Sequence, residues 1–140
     1  MRQIASLFVD TSGWATPVVH DAAHSAEIEA FSRQIVTGGR ALVTTNYVIT
    51  ELIALLTIRT RLSRPQLLQF VGQVKQVAQV VHIDPDLDAA AWALLEQYSD
   101  KERSLVDAAS FVVMRRLSLT EAFTSDHHFT QAGFVRVPTQ

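Results

Sequence analysis

The chain contains no cysteine. Disulfide staples, zinc–thiolate centres and cysteine nucleophiles are therefore excluded. Glycine (5) and proline (4) are scarce among the 140 residues, and there are no low-complexity stretches, repeats or linkers. No apolar run approaches the ~18–20 residues of a membrane span. Met1-Arg2-Gln3-Ile4 runs straight into strand-like sequence without a signal-peptide layout, so a soluble cytoplasmic protein is the expectation. Neither sign of charge dominates: 12 Lys+Arg against 14 Asp+Glu give a net charge of -2. Such a chain does not hold nucleic acid by bulk electrostatics alone, and an RNA or DNA substrate would need local basic patches or bound cations.

What is present suits one globular domain over residues 1–140, with 48% hydrophobic and 19% charged residues. The mild apolar excess points to buried surface beyond the core, as a homo-oligomer or a tight partner would provide. Strand-like runs at Ile4–Val9, Ala41–Thr44, Val80–Ile83, Glu121–Thr124 and Phe134–Val137 alternate with helical stretches. Runs apolar on both faces suit parallel strands covered by helices. Helices are predicted from Asp21 to about Val36, stopped by Gly38-Gly39, and from Asn46 to Leu62, capped by Thr45 or Asn46. Three more follow: one opened by Ser63-Arg64-Pro65 and running to Val77, then Pro85–Tyr98 and Ser104–Leu117. His127–Ala132 adds a short turn or helix. The fold class that follows is α/β, a three-layer sandwich around a mostly parallel sheet of about five strands.

Four carboxylates stand out against this pattern. Asp10 ends the first apolar run, Glu51 interrupts the longest apolar helix, Asp107 lies in a helical first turn and Asp126 follows the fourth strand. Open parallel sheets place their sites beyond the carboxyl ends of the strands, where Asp10 and Asp126 fall and where the helix of Glu51 begins. Anions gathered away from water repel unless protons or cations neutralise them. Hard divalent ions take oxygen ligands and activate water against phosphate esters.

Each acid also has a plainer role open to it. Asp10 before Thr11-Ser12-Gly13 could cap a turn. Glu51, sharing a helix face with Tyr47, Val48, Ala54 and Leu55, could pair with a buried arginine. Ser104-Leu105-Val106-Asp107 fits a capping box, and Asp126 could cap a turn. His20 and His24 read as a solvated helix start, and His82 as structural. His127 and His128 could touch a phosphate or a metal-bound water, although a structural role is favoured for both. Arg59, Arg61 and Arg64 complement a helix C-terminus, and Trp14 is read as core or a base-stacking ring.

The ordered segments Phe8-Val9-Asp10-Thr11-Ser12-Gly13-Trp14, Asn46-Tyr47-Val48-Ile49-Thr50-Glu51, Ser104-Leu105-Val106-Asp107-Ala108 and Thr124-Ser125-Asp126-His127-His128-Phe129 with Gly133-Phe134 span essentially the whole chain. Together they resemble the PIN-domain ribonucleases, in particular the VapC-type toxins of bacterial toxin–antitoxin pairs. The resemblance implies Mg2+ or Mn2+ held by Asp10, Glu51, Asp107 and Asp126 as catalytic acids, with supporting hydroxyls from Thr11 or Ser12, Ser104 and Thr124. It also implies endonucleolytic cleavage of RNA by metal-activated water, a homodimer and a cognate antitoxin protein. A housekeeping PIN nuclease, or a non-catalytic partner-binding module of the same fold, is the alternative. A phosphoacceptor receiver domain would need an acid beside Asp10 and a lysine late in the sheet, but Thr11-Ser12 follow Asp10 and no lysine lies beyond Lys101. A haloacid-type hydrolase would need an Asp where Ser12 stands.

Overall fold

The computed structural model describes residues 5–20 and 25–139 of the chain. The predicted strand start at Ile4, the helix start at Asp21 and His24 lie outside the described residues. Five strands form one sheet: β1 (Leu7–Val9), β2 (Leu42–Thr45), β3 (Ala78–Val81), β4 (Glu121–Phe123) and β5 (Val135–Val137). Their order is β3-β2-β1-β4-β5, and all four pairings are parallel. The chain builds outward from β1 to β2 and β3, then returns to the other side of β1 for β4 and β5. The switch point therefore lies between β1 and β4, where open α/β sheets open a crevice.

The helices are α1 (Thr11–Ala15), α2 (Ala26–Thr37), α3 (Asn46–Arg59), α4 (Arg64–Val77), α5 (Pro85–Gln97), α6 (Leu105–Arg116) and α7 (His128–Gln131). Local chemistry accounts for most of their starts. Thr45 accepts the Val48 amide at the head of α3. Ser63 and Gln66 close a capping box on α4, with Pro65 in its first turn. Asp84 caps α5 ahead of Pro85. Among the described residues no helix is long and apolar enough to cross a membrane.

The central strands are buried on both faces: Leu7, Phe8, Val9, Leu42 and Val43 are 0–4% exposed. This is why β1 and β2 read as unbroken apolar runs. A buried polar clasp ties β1, β2 and α1 together just below the strand ends. Thr44 Oγ1 donates to the Val9 carbonyl at 2.9 Å and accepts the Trp14 indole N–H at 3.2 Å. Trp14 is thus a core residue, 5% exposed.

The helix predicted to run to Leu62 ends at Arg59, and other sequence expectations shift as well. The third strand runs from Ala78 to Val81 rather than Val80 to Ile83, leaving His82 exposed beyond its end. Thr11-Ser12-Gly13, read as a turn, instead opens α1. The helix is admitted there because position 13 has no side chain: a Cβ on Gly13 would overlap the Phe123 carbonyl oxygen of β4.

Candidate active site

Asp10 leaves the carboxyl end of β1 at the centre of the sheet and stands at the N-cap position of α1. Its side chain makes no capping bond, so the turn-capping role open to it in sequence is not what holds it. The carboxylate is 4% exposed. One oxygen, Oδ2, accepts the Thr124 hydroxyl at 3.0 Å; the other, Oδ1, is buried without a hydrogen-bond partner. Buried carboxylate oxygens are rarely left so, and this one is suited to a proton or a cation.

Asp107 reaches the same place from the first turn of α6. The predicted capping box is present: Ser104 Oγ accepts the Asp107 amide at 3.0 Å, and Asp107 Oδ2 accepts the Ser104 amide at 3.3 Å. Capping and membership of the acidic cluster are therefore compatible, because a carboxylate has acceptor capacity to spare. Asp126 arrives from the loop after β4, on the far side of the switch point. Its Oδ1 accepts the His128 amide at 2.9 Å. One oxygen each from Asp10, Asp107 and Asp126 lie within 4.8 Å of one another. Three acids remote in sequence thus meet at one point at the carboxyl ends of β1 and β4.

Glu51 stands at the margin. It is half-buried rather than enclosed, and its Oε1 accepts the Thr11 hydroxyl at 2.5 Å. Among the described residues it is Thr11, not the arginine considered from sequence, that bonds it. Among the described residues Glu51 falls outside the three-acid group, yet its charge is felt by both Asp10 and Asp107.

The proton affinities follow from this crowding. Burial pushes Asp10 from 3.8 to about 7; the Thr11 amide and the Thr124 hydroxyl oppose the shift, while the charges of Asp107 and Glu51 add to it. Burial also raises Asp107 to about 6, helped by the charge of Asp126 and by Glu51 and countered by the Ser104 amide and His128. A site that holds its carboxylates partly neutral at pH 7 fits a divalent cation, which would replace protons with a stronger neutralising charge.

Of the hydroxyls singled out in sequence, Ser12 and Thr124 are linked to each other, while Thr11 bonds Glu51 and Ser104 bonds Asp107. Thr124 spends its one proton on Asp10, and its oxygen accepts the Asp126 amide at 3.0 Å. In the 3.3 Å contact between Ser12 and Thr124 the donor is then Ser12. Ser12 Oγ in turn accepts the Ser125 amide at 2.9 Å. Arg136 of β5 finishes the loop by donating to the Ser125 carbonyl at 2.9 Å. The β4 exit loop is thereby tied to β1, α1 and β5 by bonds that leave the acids facing inward.

His128, read as structural, lies within the cluster. Its Nδ1 is 3.1 Å from Asp126 Oδ1 and 3.4 Å from Asp107 Oδ2, and the side chain is 17% exposed. Phe129 fixes its helix: fully buried, it packs edge-on against Phe111 at 4.9 Å between ring centres. The only sequence signal was the position of His128 two residues after Asp126. His127 points outward, 66% exposed and 4.0 Å from Asp126. Arg59, Arg61 and Arg64 are exposed at and beyond the C-terminus of α3, and His20 is exposed, 3.6 Å from Glu29.

Comparison with known proteins gives a consistent result. The chain is 34% identical over 132 residues to the 23S rRNA-specific endonuclease VapC20 of Mycobacterium tuberculosis, spanning 94% of this chain and 97% of that protein. The solved structure of VapC20, a sarcin–ricin loop cleaving toxin, matches with a TM-score of 0.79 over 94% of this chain and 98% of its own. Two more distant structures share the fold: FitAcB of Neisseria gonorrhoeae (16% identity, TM-score 0.64, 93% of this chain and 95% of that one) and PAE2754 of Pyrobaculum aerophilum (18%, 0.66, 95% and 90%). The model of the PIN domain matches residues 7–135. With five parallel strands in this order and acids converging at their switch point, the chain belongs to the PIN domain family.

Proposed function

We propose that this protein is a Mg2+- or Mn2+-dependent endoribonuclease and the toxin of a type II toxin–antitoxin pair. The observation that carries this reading is the meeting of Asp10, Asp107 and Asp126 within 4.8 Å, with Asp10 Oδ1 buried and unpartnered among them. VapC20, which matches nearly end to end, is an endonuclease specific for 23S rRNA, and a structured RNA is the substrate class we assign here.

Asp10, Asp107 and Asp126 would hold the ion. When bound, it supplies an acidified water close to neutral pH and positive charge for the phosphate. Glu51, outside the three-acid group and bonded to Thr11, would orient the bound water rather than ligate directly. Thr124 and Ser12 hold Asp10 and the Asp126 loop in place, and Ser104 does the same for Asp107. The hydroxyl of Thr11 fixes Glu51 in turn. Asp126 is more exposed than Asp10 or Asp107, with 27% of its side chain accessible, which would let it also meet a second or transient ion.

A homodimer and a cognate antitoxin complete the proposal, in the cytoplasm. Exposed apolar side chains support a protein partner: Ile58 is 81% exposed, Leu68 52% and Trp92 51%. The test is cleavage of ribosomal RNA by the purified chain with Mg2+ or Mn2+, against EDTA and against Asp10→Asn. Intact RNA under all conditions, or cleavage that survives both EDTA and Asp10→Asn, would sink the reading.

A further inference from the structure

Carboxylates alone make a hard, oxygen-only site, but an imidazole stands beside them. His128 Nδ1 lies 3.1 Å from Asp126 Oδ1 and 3.4 Å from Asp107 Oδ2. At those distances a hydrogen bond to either acid would be expected, yet neither contact has hydrogen-bond geometry, and Nδ1 is buried and unpartnered. An imidazolium serving as counter-ion would aim its N–H at an oxygen. A ring that approaches two carboxylate oxygens without aiming at either is placed as a third donor around a common centre. Adjacent donors at right angles around an ion with bonds of about 2.1 Å stand about 3.0 Å apart, close to both separations. Asp10 Oδ1 is buried and also without a partner, and Asp126 is shared between two groups of potential ligands, one with Asp10 and Asp107 and one with His127 and His128.

The ring is also held in place for this task. Its backbone amide is bonded to Asp126 Oδ1, and the neighbouring Phe129 is locked between Phe8 and Phe111. Presenting Nδ1 as a lone pair requires the proton on Nε2.

We infer that His128 is a metal ligand through Nδ1, so that the centre is a mixed nitrogen–oxygen site preferring a first-row transition-metal ion to Mg2+. Imidazole suits the borderline ions of that series, whereas Mg2+ is served by oxygen donors. The inference rests on the metal-centre reading above and adds to it a ligand and a preference among ions.

The experiment uses the purified full chain with metal alone, read by spectroscopy and calorimetry rather than by cleavage. Pulsed electron paramagnetic resonance of bound Mn2+ should show a directly coordinated 14N in the wild type and in His127→Ala, and none in His128→Ala. Calorimetric competition should show Co2+ preferred to Mg2+, with the preference reduced by about tenfold or more in His128→Ala. The wild-type spectrum decides the matter even if that variant folds poorly. Bound Mn2+ with no nitrogen coupling, or a coupling lost only in His127→Ala, overturns the ligand assignment and leaves an all-carboxylate centre standing. No Mn2+ or Mg2+ binding by the wild-type chain overturns the metal centre itself, and this inference with it.

Discussion

Thr124 and Asp10 are 114 positions apart in sequence, and the Thr124 hydroxyl donates to the Asp10 carboxylate at 3.0 Å across the gap between two parallel strands. The same oxygen accepts the Asp126 amide, so one side chain orients two of the three clustered acids. Thr124→Val keeps the shape and removes both bonds. Divalent-metal affinity should fall by about 10–100-fold, the usual effect of losing a supporting partner of a ligand. Calorimetric titration with Mn2+ checks this, and an unchanged affinity would remove Thr124 from the supporting set.

Asp10→Asn should lower RNA cleavage by more than about a hundredfold, since a ligand matters more than its support. The metal-free variant should also be more stable than the wild type at pH 8, by on the order of 2 kcal/mol, because it no longer carries a buried charge. Urea unfolding in EDTA measures the second effect. A variant less stable than the wild type at that pH would show that Asp10 is structural.

The pH dependence of the metal-free protein has a definite sign. Asp10 at about 7 and Asp107 at about 6 both lie above the ordinary 3.8, so the folded state keeps protons that the unfolded chain has released. Their contribution to stability is complete below about pH 4 and is lost as pH rises through 6 and 7. Urea midpoints in EDTA should therefore drop between pH 5 and pH 8, and Asp10→Asn should flatten part of the drop. Saturating Mn2+ should reverse the trend, because the ion binds the ionised carboxylates. Midpoints that rise with pH in EDTA would contradict the assigned shifts.

Gly13→Ala places a methyl group against the Phe123 carbonyl oxygen and the Phe123 ring. Backbone on one side and a packed ring on the other leave little room to yield. The cost expected is about 1–3 kcal/mol, typical of overpacking, and a thermal melt would register it. Full stability would mean that α1 can shift away from β4 without penalty.

The alternation of strands and helices could be read because β1 and β2 are covered on both faces and so carry unbroken apolar runs. Helix starts could be read where side chains cap them, as at Ser63, Asp84 and Ser104. The β3 boundary could not: α4 passes straight into Ala78, with no glycine, proline or turn residue to mark the change. Thr11-Ser12-Gly13 has turn chemistry, and only its fit against Phe123, far along the chain, makes it helical. Asp10, Asp107 and Asp126 were legible as candidates because parallel topology fixes where strands end. His128 could be read as lying near Asp126 but not as reaching Asp107, since its orientation is set by Phe129 docking between Phe8 and Phe111, a contact no local pattern encodes. The partner of Glu51 was also hidden, because Thr11 lies 40 residues away.

Asp107 Oδ2 serves two masters: it receives the Ser104 amide at the head of α6 and it looks toward the neighbouring acids and His128. Fraying of that first helical turn and loading of the cavity are therefore thermodynamically linked through a single atom. An ion that fixes Asp107 should slow deuterium uptake at the amides of Ser104 and Asp107, so the occupancy of the cleft would be legible in the opening rate of a helix end.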